Sequence, residues 1–109
     1  MPTRYHNIDG STGVDVELLA PGSGVNSINC IIFTNTHATA DATVSLFIQD
    51  NPTSGTTKTF NIIHTIAIPA DSSLLLDNKS LLSFDNSSTT GNGLYVTVGS
   101  SDTLDILIK

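Results

Sequence analysis

The sequence predicts an all-β protein, an antiparallel two-sheet β-sandwich of seven to eight strands in jelly-roll-like or Ig-like order. Apolar residues recur at every second position in six separate segments, the period of a strand with one buried face. No window sustains the three-and-four spacing of an amphipathic helix, and strong helix formers are scarce, with one Glu, three Lys and one Arg among 109 residues. Clusters of Gly, Pro, Asn, Asp and Ser break the chain roughly every 8–12 residues, as a sandwich requires.

Residues 1–12 hold little apolar material and read as an N-terminal arm, distinct from a single sandwich domain over 13–109. The arm carries the only arginine, with Tyr5 and His6 beside it, so Arg4, Tyr5 and His6 are the candidate partner contacts. After a turn at Asp9–Gly13, Val14, Val16 and Leu18 alternate with Asp15 and Glu17 in the first strand, which Pro21-Gly22-Ser23-Gly24 closes. Ile28, Cys30 and Ile32 then alternate with Asn29, Ile31 and Phe33, so both faces of that run are apolar. Beyond the loop Asn35–Asp41, Val44, Leu46 and Ile48 form the third row. Asp50–Gly55 follows, where Pro52 cannot donate to a ladder.

Ile62, His64, Ile66 and Ile68 make the fourth row, in which His64 reads as a core histidine. Pro69–Ser73 ends it, and Leu74–Leu76 and Leu81–Phe84 give two short strands. Gly91-Asn92-Gly93 opens a strand carrying Leu94, Val96 and Val98. A hairpin at Gly99–Asp102 leads to the last strand, with Leu104, Ile106 and Ile108 on one face.

Composition narrows the function. Ile, Leu and Val supply 28 residues, enough for one core without disulfide or metal staples. Four cations and a net charge of −6 cannot neutralise a phosphate backbone, so no nucleic-acid partner is expected. No apolar run approaches the ~18 residues of a membrane helix, and no signal-peptide pattern opens the chain. The expectation is a protein made and kept in a cytoplasm, with no membrane partner. Cys30, the only cysteine, lies among apolar neighbours and reads as a small buried hydrophobe.

Chemistry-bearing clusters are hard to find. His37 sits in a loop four residues before Asp41, without a second nitrogen or sulfur ligand for a metal. Asp71, Asp77-Asn78 and Asp85-Asn86 could converge on calcium, but no EF-hand spacing is present, and Asp and Asn start turns for local reasons. No Gly-x-Ser-x-Gly elbow and no phosphate loop occur. Sugar binding usually employs exposed aromatic platforms, and the absence of Trp, with Tyr5 and Tyr95 the only tyrosines, argues against it. No catalytic residue, cofactor or resident metal is expected.

Three phrases carry a resemblance: Arg4-Tyr5-His6-Asn7, the run Val14–Gly22, and Ile32–Val44. Together with Ile68-Pro69-Ala70, Leu74–Asp77, Ser83-Phe84-Asp85 and Gly93–Val96, they make the chain resemble small β-sandwich virion structural proteins of marine tailed bacteriophages, of the cyanophage kind. The resemblance implies a non-enzymatic capsid decoration or cement protein on the outer head surface. Its partner would be the major capsid protein or another virion protein, in many copies or as a homo-oligomer, in virions assembled in the host cytoplasm. A neck or tail connector or fibre-associated adaptor is the alternative, and a calcium- or sugar-binding lectin-like module is a further one.

Overall fold

In a computed structural model, which describes residues 3–9, 13–25, 27–51, 54–100 and 103–109, the alternating segments form eight strands and no helix among the described residues. In chain order these are β1 (Arg4–Ile8), β2 (Asp15–Leu19), β3 (Ile31–Asn35), β4 (Ala42–Asp50), β5 (Thr59–Ile68), β6 (Ser72–Leu76), β7 (Asn92–Ser100) and β8 (Leu104–Ile108). They assemble into two four-stranded antiparallel sheets, one ordered β1-β8-β3-β6 and the other β2-β7-β4-β5. Odd and even strands alternate between the sheets until β5, and the return strands β7 and β8 fill the middle. That order is the jelly roll rather than the Ig arrangement.

The core follows from the period of two. In β3 and β8 every second side chain is buried, placing Ile31 and Phe33 beside Ile106 and Ile108 on one inner face. Opposite them, Val44 and Leu46 of β4 pair with Val98 and Val96 of β7 on the inner face of the other sheet. Each such side chain contributes about 1.5–3 kcal/mol by leaving water, which is why two short-stranded sheets hold together without a staple.

Several expectations need correction. Arg4–Ile8 is no separate arm: it is β1, in register with β8 from Arg4↔Ile108 to Ile8↔Leu104, and Ile8 is fully in the core. The sequence hides this because an edge strand needs only one core anchor when its ladder supplies the rest. Leu81–Phe84 is not a strand. Its backbone turns, with Leu81 N–H donating to Asn78 and Leu82 N–H to Lys79, and Leu82 alone is buried deep. Ile28 lies outside β3 yet is buried, while Cys30 is half-buried because Ile31 takes the inward position next to it.

Bulges explain the other departures. A register shift between Glu17 and Leu19 turns both Leu18 and Leu19 inward, while Val14, just ahead of β2, is exposed. In β5, Val44↔Ile66 is followed by Leu46↔Ile63, so two residues oppose Ser45 alone. There Thr65 takes φ 55° and its N–H donates to Ser45 Oγ at 2.9 Å. The bulge breaks the alternation, so His64 is exposed rather than in the core. The expected turn residues Gly10–Thr12, Pro52 and Ser101-Asp102 lie outside the described residues.

Two asparagines, read in the sequence as a loop start (Asn35) and as a turn former or calcium candidate (Asn86), lock the loops. Asn35 is fully buried at the end of β3; its Nδ2 donates to the Ala40 and Ile68 carbonyls at 2.9 and 3.0 Å, and its Oδ1 accepts from His37 N–H. Asn86 is fully buried between the β2–β3 and β6–β7 connections. Its Nδ2 donates to the Ala20 carbonyl at 3.0 Å and the Asn92 carbonyl at 2.8 Å, while Oδ1 accepts from Val25 N–H at 3.1 Å. Both amides are satisfied on three sides, as burial of a polar group demands.

Candidate functional site

The histidines and acidic turns do not come together. His37 is held in its own loop, where Nδ1 accepts from the Thr39 and Ala40 N–H groups at 3.1 and 3.0 Å. Asp85 Oδ1 accepts from the Ser87 hydroxyl and amide, which hold its carboxyl below the ordinary value, and Asn78 Oδ1 accepts from Ser80 N–H in the same way. These are turns bonding their own backbone. Among the described residues no three His, Cys, Asp or Glu side chains are grouped to hold a metal ion.

The sandwich instead offers two exposed surfaces. The first is the outer face of the β1-β8-β3-β6 sheet. Register places Tyr5, Leu107, Ile32 and Leu75 in one row straight across all four strands. Tyr5 is 73% exposed and Leu75 55%, while Leu107 and Ile32 between them are half-buried. The next outward row, two residues along, is polar: Asn7, Asp105, Thr34 and Ser73. Here Asn7 Nδ2 donates to Asp105 Oδ1 at 2.6 Å, and the Thr34 and Ser73 hydroxyls share a hydrogen bond of 2.9 Å. A concavity of ≈ 430 Å³ lies at the β1 side of the two rows, lined by Tyr5, His6, Asn7, Thr34, Asp105 and Leu107.

The three expected contact residues therefore part company. Tyr5 projects from the face, whereas Arg4 and His6 are half-buried on the alternate positions of β1. Burial pushes the His6 imidazole below its ordinary pKa; a hydrogen bond to the Leu18 backbone opposes that, and the Arg4 charge adds to the lowering. Arg4 Nε is buried with no hydrogen-bond partner among the described residues. The signal missed in the sequence is Asp105: alternation in the last strand marks it as outward, but only the β1–β8 register brings Asn7 to it.

The second surface is the β5 edge. β5 is the outermost strand of its sheet, ten residues long, and contains no Asp, Glu, Lys or Arg. Phe60 and Ile66 stand opposite Ile48 and Val44, whose side chains turn to the core, yet they stay 55% and 41% exposed. The neighbouring edge of the other sheet, β6, has only five residues and leaves them uncovered. By contrast the outer face of the β2-β7-β4-β5 sheet is tied up internally. There Phe47 and Tyr95 stack at 5.8 Å, Tyr95 Oη donates to Glu17 at 3.5 Å, and Thr97 Oγ1 donates to Asp15 at 2.7 Å.

Fold and surfaces together define a jelly-roll β-sandwich with an aromatic–polar concavity on one sheet and an open, uncharged edge on the other. No family model and no curated protein matches the chain. Among solved structures it is similar to a chain of the T13 IBDV viral particle, with a TM-score of 0.44 and 10% identity over 97% of this chain. It spans 30% of that protein's length, and a likeness so weak assigns no role.

Proposed function

We propose that this chain is a structural protein of a virus particle, without enzymatic activity, that decorates the outer surface of the head as a cement protein. The jelly roll serves capsid and lectin domains alike, so strand order alone chooses no role. The supporting observation is β5. Natural sandwiches blunt an edge with charge, shortness or a bulge, because unpaired N–H and C=O groups invite another strand. Of these, β5 has only the bulge at His64 and Thr65. Here a ten-residue edge free of charged side chains, with Phe60 and Ile66 exposed, belongs to a chain whose net charge is −6. Such an edge suits docking by strand addition with apolar anchors, and many copies on one shell would multiply a modest affinity. The resemblance of the phrases at 4–7, 14–22 and 32–44 to small phage virion proteins points the same way.

Co-sedimentation of the full chain with particles of the virus that encodes it tests the reading. The unmodified chain binds in many copies per particle. Phe60→Lys and Ile66→Lys each weaken binding by about ten- to hundredfold with the thermal melt unchanged. Binding that ignores both substitutions, or a copy number restricted to one vertex, overturns the decoration role.

A further inference from the structure

We infer that the concavity over β1, β8 and β3 is a binding site for a neutral saccharide, with Tyr5 as the stacking platform and Asp105 and Asn7 as the hydroxyl partners. This goes beyond docking on a particle and uses the opposite side of the molecule from β5.

Three observations carry it. The volume, ≈ 430 Å³, falls in the range of small-molecule sites, which combine an apolar floor with a few placed polar groups. Tyr5 and Leu107 supply that floor, and Tyr5, on the outward face of β1, keeps 73% of its surface open. The polar row stands two residues from the apolar one, about 7 Å along the strands, a spacing a single sugar ring can bridge. A pyranose laid on Tyr5 thus turns its C–H face to the ring and its hydroxyls to Asp105, Asn7 and Thr34.

The chemistry of the lining selects the class. Asp105 already accepts from Asn7 Nδ2, so its position is fixed before a ligand arrives. The amide keeps an acceptor oxygen and a second N–H, and the Thr34 hydroxyl adds a group that both gives and accepts. Hydroxyls, which do both, match this mixed set. No Lys or Arg lines the concavity, so a phosphate or an acidic sugar meets one carboxylate and no counter-charge.

The test is a two-dimensional amide NMR titration of the full chain with the methyl glycosides of glucose, galactose, mannose and N-acetylglucosamine, and separately with argininamide. At millimolar concentration at least one glycoside shifts the amides of Tyr5, Asn7, Asp105 and Leu107. Tyr5→Ala weakens that binding about tenfold, and Asp105→Ala does likewise. Tyr95→Ala, on the other sheet, and Phe60→Lys leave it unchanged, which separates this site from the docking edge. Silence of these amides to every glycoside overturns the inference. So do shifts with argininamide alone, or shifts that survive Tyr5→Ala in a variant whose spectrum is otherwise native.

Discussion

Replacing Asn86 by alanine removes one buried side chain and, with it, three hydrogen bonds to the backbone at once. The Asn92 carbonyl and Val25 N–H lose their amide partner, and the Ala20 carbonyl loses one donor while keeping Ser23, at a site with no exposure to water. At about 1 kcal/mol for each net hydrogen bond lost, the substitution costs about 3 kcal/mol. For a domain of this size that lowers Tm by roughly 15 °C. Urea unfolding followed by far-ultraviolet circular dichroism measures it, with an unchanged slope showing that the folded state is still the sandwich. Asn78→Ala is the internal comparison, since Asn78 makes one exposed turn bond and costs about 0.5 kcal/mol. Equal losses at the two positions would refute the idea that Asn86 clamps two connections together.

Deleting residues 1–8 removes β1 and uncovers the row beneath it, so the truncated chain loses at least about 3 kcal/mol, read from its urea midpoint; a free arm would cost nothing. Gly22 has φ 83°, and a Cβ there would meet Thr89 Cγ2 at 2.8 Å, so Gly22→Ala costs more in a thermal melt than Gly24→Ala, which has φ 76° and open space. For His6, burial lowers the folded pKa, so its neutral form favours folding; that contribution is complete above the ordinary value of 6.5 and lost as pH falls through the folded value. His6→Gln should flatten the fall in stability between neutral and mildly acid pH. Tyr95 is raised above 10.0, first by burial and then by Glu17, so Glu17→Gln moves its ultraviolet titration back down.

What the sequence conveyed was the part of the fold with a short memory. Alternation in 104–108 and 94–98 correctly marks Leu104, Ile106, Ile108, Leu94, Val96 and Val98 as core, because a strand covered on one face writes its burial into neighbours two apart. Register and strand order depend on partners as much as a hundred residues away. The Tyr5–Leu107 and Asn7–Asp105 pairs that build the concavity were therefore invisible, although Tyr5 itself stood out as a partner contact. Bulges defeat alternation from within, since one extra residue in β5 moves His64 from core to solvent. Asn35 and Asn86 were hidden for a third reason. A buried amide and a turn amide have the same composition, and only the carbonyls arriving from Ile68 and Ala20 tell them apart.

A map of the intact virus particle with this chain placed in it weighs the proposal as a whole. The account predicts residues 59–68 laid against the head shell and the face bearing Tyr5 turned to solvent. Finding the β5 edge bare while the Tyr5 face is buried on the shell, or finding no copy of the chain on the head, would contradict it.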